Sequence, residues 1–127
     1  MAEKNRLLPV WGSFQFFLAD IKVVHSIFAL PFALSALTFL SDYRFNLLIL
    51  LKLLLCMVAA RSFSMGINRY VDRDIDCKNP RTSDRGIPSG RLTPTAALLW
   101  SVIFGVCFLF ASWSLSALAG MLAVPVL

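Results

Sequence analysis

Three side chains with oxygen donors recur at four-residue spacing in the middle of this sequence. They are Asn68, Asp72 and Asp76, within Asn68-Arg69-Tyr70-Val71-Asp72-Arg73-Asp74-Ile75-Asp76. On a helix, residues four apart drift by only about 40° per step, so the three share one face. Carboxylates at that spacing repel and destabilise a bare helix. A divalent cation reverses the sign, because Mg²⁺ and Ca²⁺ take hard oxygen ligands. The triplet Asp72-x-Asp74-x-Asp76 opens like an EF-hand calcium loop, but its sixth and twelfth positions, which need glycine and glutamate, are Cys77 and Ser83. That chemistry is excluded. A structural role would have the aspartates offset neighbouring arginines, with Arg69–Asp72 and Arg73–Asp76 as i,i+3 pairs. A metal–diphosphate site would use Asp72 and Asp76 as carboxylate ligands of Mg²⁺ and Asn68 as a neutral oxygen, with phosphates and water filling the shell. Asp74, about 200° around the helix from its neighbours in the motif, should then matter less. Metal-bound diphosphate is a good leaving group, because the cation neutralises charge that grows as the C–O bond breaks.

The elements that must position these residues are membrane helices. The chain has 127 residues, of which 58% are hydrophobic and only 15% charged, and its mean hydropathy is +0.75. The apolar residues are grouped in long runs, which marks an integral membrane protein. The net charge of +5 does not indicate nucleic acid, because the basic residues flank apolar segments and no basic face is interleaved with aromatics. They fit anchoring at the cytoplasmic face of a lipid bilayer. The three cysteines, Cys56, Cys77 and Cys107, form no C-x-x-C pair or metal-ligand spacing, and no disulfide is expected.

Residues 1–22 combine Lys4, Arg6 and Lys22 with Trp11, Phe14, Phe16 and Phe17 and read as an interfacial lead-in with its aromatics at headgroup depth. The first span is placed at 23–40, kinked at Pro31. His25, near its start, is either an interfacial or internally bonded polar group or a site-lining residue. After a polar turn at Ser41-Asp42-Tyr43-Arg44 the second span covers 46–67, with Lys52 snorkelling to the interface. Arg61 precedes Asn68 by seven residues, so it falls in one stripe with Asn68 and Asp72, within about 20°. It is either the structural counter-ion of the acidic motif or an anion contact.

Residues 68–92 hold the motif and a basic loop, whose Lys and Arg place it in the cytoplasm together with the N-terminus. Asn79-Pro80 and Gly86-Ile87-Pro88-Ser89-Gly90 are turn chemistry. Thr93-Pro94 reads as an N-cap followed by proline at the first helical position. A third span is placed at 95–113, a break at Trp113-Ser114-Leu115-Ser116, and the start of a fourth span at 117–127. That last segment lacks flanking charge and has too few residues to cross, so the sequence reads as truncated.

Asn68-x-x-x-Asp72-x-x-x-Asp76, followed by Asn79-Pro80-Arg81-Thr82, Arg85 and Ile87-Pro88-Ser89-Gly90-Arg91, resembles the UbiA family of intramembrane prenyltransferases. Within that family it is most like the bacterial members of 4-hydroxybenzoate polyprenyltransferase type. Lys22-Val-Val-His25-Ser-Ile-Phe-Ala-Leu-Pro31-Phe and Ala60-Arg61-Ser62 fit the same branch. The resemblance covers essentially the whole chain. It implies an all-α membrane bundle of about nine spans around a central cavity, of which these residues are the N-terminal three to four. It also implies a polyprenyl diphosphate bound through Mg²⁺ and two Asp-rich motifs, and an aromatic acceptor such as 4-hydroxybenzoate that attacks the allylic cation in quinone biosynthesis, in ubiquinone or menaquinone pathways. Carried over by position, Asp72 and Asp76 are catalytic metal ligands with Asn68. Arg81, Arg85 and Arg91 belong to the loop over the diphosphate, with Arg61 as a further anion contact. The implied location is a bacterial inner membrane. The second Asp-rich motif and about five spans are not in these residues, so this chain alone is expected to be inactive. The alternative is a small non-catalytic membrane protein whose acidic motif is structural.

Overall fold

A computed structural model describes residues 10–22, 26–28, 30–31, 34–35 and 46–127. Most of the expected first span, His25 and the polar turn after it lie outside the described residues. The described residues form helices and turns with no strand. In chain order the helices are α1 (Val10–Asp20), α2 (Leu47–Val71), α3 (Arg73–Asp76), α4 (Pro94–Leu115) and α5 (Ala117–Val126).

The helix boundaries follow from side chains at the ends. The Asn46 side chain accepts the Leu48 N–H at 2.9 Å and starts α2. Thr93 Oγ1 accepts the Ala96 N–H at 3.2 Å, and Pro94 is the first residue of α4. Ser116, in an extended conformation, ends α4 and caps α5 by accepting the Ala119 N–H at 3.0 Å. With 25 and 22 residues, α2 and α4 are both long and apolar enough to cross a membrane. The second helix continues through Asn68 to Val71, so the acidic motif begins inside its last turn.

Small residues let α2 and α4 pack closely. The buried stripe of α2 is Cys56, Ala59, Ser62 and Gly66, facing Ala97, Ser101, Gly105, Ala111 and Ser112 of α4. Cys56 meets Ser112 at 3.6 Å, while a Cβ at Gly66 would lie 2.1 Å from Ser101 Oγ and one at Gly105 would lie 2.8 Å from the Phe63 ring. The pairing is therefore antiparallel, and at those two positions no side chain fits. Such close backbone approach maximises dispersion contact where lipid offers no hydrophobic drive. Ser101 Oγ donates to the Ala97 carbonyl at 2.7 Å, satisfying its hydroxyl within its own helix. At the far end Lys52 Nζ donates to the Ser114 carbonyl at 2.8 Å. The lysine thus caps the C-terminal turn of α4 rather than only reaching the interface.

Two aromatic residues of α1, Phe14 and Phe17, pack against the protein. Phe17 is 1% exposed, and it stacks on Phe104 at 5.9 Å between ring centroids. Phe14 lies 4.6 Å from the Trp100 ring, and Trp100 Nε1 donates to Ser13 Oγ at 3.4 Å. Phe17 and Ile21 form one core with Ile87, Leu92 and Ala97. These contacts bury aromatic surface against α4 and bring the C-terminus of α1 to the basic loop.

Candidate functional site

The last turn of α2 divides its residues between two environments. Arg69 continues the buried stripe of Ala59, Ser62 and Gly66, while Arg61, Ser64 and Asn68 lie on the exposed side. In its first half Leu47, Leu50 and Leu54 fall within about 40° of the same stripe. One helix face thus changes from apolar to polar along its length. Arg61 lies ten residues before the end of α2, about 15 Å along the axis. A guanidinium at that depth facing hydrocarbon costs about 2.5–3.5 kcal/mol, so this face belongs toward a polar or water-filled interior. The side chains of Arg61, Asn68 and Asp72 make no hydrogen bond or ion pair with other described residues.

The helix is interrupted at Asp72, the C-cap of α2, whose N–H bonds to the Asn68 carbonyl. Asp72 is half-buried, whereas Asp76 is turned into the fold at 6% exposure. There a single guanidinium nitrogen of Arg85, Nη1, donates to both Asp76 oxygens, at 2.8 and 2.7 Å. Burial pushes the Asp76 carboxyl up, but hydrogen bonding from Arg85 and Thr82 and the charges of Arg85 and Arg69 outweigh it. The group is held below its ordinary value of 3.8. The open face therefore holds Asn68 and Asp72, and Asp76 is engaged elsewhere. Asp74 points to solvent, its side chain 79% exposed and 3.8 Å from Arg73 Nε.

Neither i,i+3 pair, Arg69–Asp72 or Arg73–Asp76, forms: Arg73 keeps local partners, and Arg69 takes a distant one. Arg73 lies over the Tyr70 ring and donates to the Tyr70 carbonyl at 2.8 Å. Arg69 meets Asp20 at the end of α1, Nε to Oδ2 3.8 Å, with both side chains at most 10% exposed. Asp20 also accepts the Gly86 N–H at 2.9 Å through Oδ1. Sequence reasoning missed both residues. The small-residue stripe of α2 was the available signal for Arg69, since position 69 extends it. Nothing local marked Asp20, whose partners are far away in the chain.

The loop from Cys77 to Leu92 is built from its own hydrogen bonds. Asn79 Oδ1 accepts the Arg81 N–H at 3.0 Å, and Thr82 Oγ1 donates to the Asp76 carbonyl at 3.1 Å. The Leu92 N–H closes onto the Gly86 carbonyl at 2.8 Å. Gly90, at φ +74°, takes the left-handed turn that glycine makes without strain. Arg81 is exposed and its side chain has no partner among the described residues. Arg91 donates to Ser89 Oγ at 2.9 Å and to the Asp84 carbonyl. Beside it is a cleft of about 190 Å³ lined by Phe16, Ala19, Asp20, Asp84, Gly86 and Arg91.

Among the described residues no three acidic, histidine or cysteine side chains converge. Asn68 and Asp72, one turn apart and open, fit a hard cation that takes one or two carboxylates and completes its shell with water and phosphate.

The sequence pattern of the UbiA prenyltransferase family matches residues 29–127. The chain belongs to the UbiA prenyltransferase family. Among curated UbiA relatives, it is 40% identical over 67 residues to the protoheme IX farnesyltransferase of Desulforudis audaxviator, covering 52% of this chain and 21% of that protein. It is 36% identical over 67 residues to the 4-hydroxybenzoate octaprenyltransferase of Janthinobacterium sp., covering 53% and 24%. To the digeranylgeranylglyceryl phosphate synthase of Methanothrix thermoacetophila it is 61% identical over 36 residues, covering 28% and 13%. These matched stretches span less than a quarter of each relative's length. No solved structure matches the chain. Family membership and the two membrane-length helices make this an integral membrane protein.

Proposed function

We propose that this chain forms the diphosphate-binding part of a membrane prenyltransferase. The reaction would be the Mg²⁺-dependent transfer of a polyprenyl group from polyprenyl diphosphate to an aromatic acceptor such as 4-hydroxybenzoate, in quinone biosynthesis at a bacterial inner membrane. The observation that carries this reading is the α2 face on which the Arg61, Asn68 and Asp72 side chains have no partner among the described residues, at the polar end of an apolar stripe. An amphiphile with a charged head and an apolar tail has the same polarity along its length.

Asn68 and Asp72 would hold the cation, and when bound it would neutralise charge on the leaving diphosphate. Arg81, exposed and without a side-chain partner among the described residues, would take phosphate oxygens in bidentate fashion. Arg61, about 10 Å deeper along α2, would meet an anionic group further into the cavity. Arg85 is committed to Asp76, so it and Asp76 reach phosphate and metal only by exchanging partners. Arg91 holds the loop's turn and would contact phosphate from its exposed side.

The acceptor is the least constrained part. The names of the relatives point to protoheme, hydroxybenzoate and glyceryl phosphate acceptors. The Asp76–Arg85 pair favours a second reading, a non-catalytic membrane protein whose acidic motif is structural. Transfer assays in membranes containing the full-length protein, with farnesyl diphosphate, Mg²⁺ and a panel of acceptors, separate the two. Product dependent on Mg²⁺ and on Asp72 supports the enzyme. Its absence with every acceptor favours the structural reading.

A further inference from the structure

Four buried or half-buried charges run from α1 to the loop: Asp20, Arg69, Asp76 and Arg85. Their formal charges cancel. Arg69 lies between Asn68 and Asp72 in sequence, about 100° round the helix from Asn68 and on its buried side. Whatever fixes Arg69 therefore fixes the rotation at which Asn68 and Asp72 are presented. What faces it is the Asp20 carboxylate, 3.8 Å away. The other Asp20 oxygen holds the N–H of Gly86, the residue after Arg85. A Cβ on Gly86 would lie 3.3 Å from Asp20 Cγ and 3.2 Å from Leu92 Cβ, so the loop is seated directly against this carboxylate. Phe17 and Ile21, on either side of Asp20 in sequence, are each 1% exposed, which anchors α1 and leaves Asp20 little freedom.

We propose, on the reading of this site as a prenyl-diphosphate site, that Asp20 is its positioning residue. One oxygen sets the last turn of α2 through Arg69, and the other seats the basic loop through the Gly86 N–H. Asp20 touches neither cation nor phosphate in this role. It makes the amphipathic helix α1 part of the site's geometry rather than a membrane anchor alone. Outer-shell partners of this kind typically change affinity about 10- to 100-fold when removed.

The test uses the full-length protein in nanodiscs, as wild type, Asp20→Ala and Asp20→Asn. Farnesyl diphosphate binding is measured with and without Mg²⁺. Loop seating is read independently from the rate of trypsin cleavage at Lys78 and Arg81, both exposed. Asp20→Ala should weaken Mg²⁺-dependent binding at least about tenfold and speed cleavage. Asp20→Asn keeps an acceptor for Gly86 but loses the charge facing Arg69. It should cleave at close to the wild-type rate and lose less binding. Unchanged binding in Asp20→Ala, with a wild type that does bind, overturns the role. So does an Asn variant as damaged as Ala in binding, cleavage and thermal stability alike, since that pattern is general destabilisation. A wild type with no Mg²⁺-dependent binding removes the diphosphate reading itself, and this role with it, whatever the cleavage rates show.

Discussion

Removing Arg85 should loosen the basic loop far more than removing Asp76, although the two share one ion pair. The Asp76 side chain is 8% exposed and that of Arg85 is 29%. Replacing Arg85 by Met keeps an apolar stem and strands a buried carboxylate. Breaking a buried pair this way costs about 3–5 kcal/mol. Because the carboxylate can relax toward the loop opening or protonate, the lower end, about 3 kcal/mol, applies. Asp76→Ala instead strands a guanidinium already one-third open to water, and about 1–2 kcal/mol is expected. Hydrogen exchange reads this locally, at the Ser83, Ser89 and Leu92 amides, whose N–H groups bond to Asn79, Arg85 and Gly86 carbonyls. Arg85→Met should speed their exchange roughly 150-fold, and Asp76→Ala about 5- to 30-fold. The double variant should lie closer to Asp76→Ala than the sum of the single effects, because the stranded carboxylate is gone. Equal acceleration by the two single variants, or less than about threefold with Arg85→Met, would refute this account of the loop.

Three further outcomes follow from the same contacts. Asp76 is held below its ordinary 3.8, so its contribution to loop stability is complete above that value and is lost as pH falls through the lowered one. Loop exchange, corrected for intrinsic rates, should therefore carry an Asp76-dependent rise only below about pH 4, and Asp76→Asn should abolish it. Gly66→Val places side-chain atoms where even a Cβ would be 2.1 Å from Ser101 Oγ. Thermal melting in detergent should show a loss of about 1–3 kcal/mol, partly restored by Ser101→Gly; an unchanged melting point contradicts the close α2–α4 packing. Asp74→Ala should leave Mg²⁺-dependent farnesyl diphosphate binding within about threefold of wild type, since that side chain faces solvent.

Much of the helical framework could be read from residue order because the signals are local. Thr93 and Pro94 mark a helix start in their own side chains, and the polar cluster ending in Ser116 marks a break between apolar runs. The motif's open face was also legible, since Asn68 and Asp72 are one turn apart on one helix. The fate of Asp76 was not. Periodicity assigned it to that face, but the helix breaks at Asp72 and a guanidinium nine residues later captures the carboxylate. Asp20 lies 66 residues from Gly86, and the two meet through the packing of Phe17 and Ile21 with Ile87, Leu92 and Ala97. Charge partners across such distances have no periodic signature.

The central claim is that Asn68 and Asp72 present a cation to a prenyl diphosphate. It is tested most directly by farnesyl diphosphate binding to the full-length protein in nanodiscs, titrated with Mg²⁺, for wild type and Asp72→Asn. That substitution keeps the side chain's size while removing its charge and one of its two acceptor oxygens. Wild type should bind in a Mg²⁺-dependent manner, and the variant should bind at least about tenfold more weakly. Binding that is equally strong in both proteins, or indifferent to Mg²⁺, would contradict it.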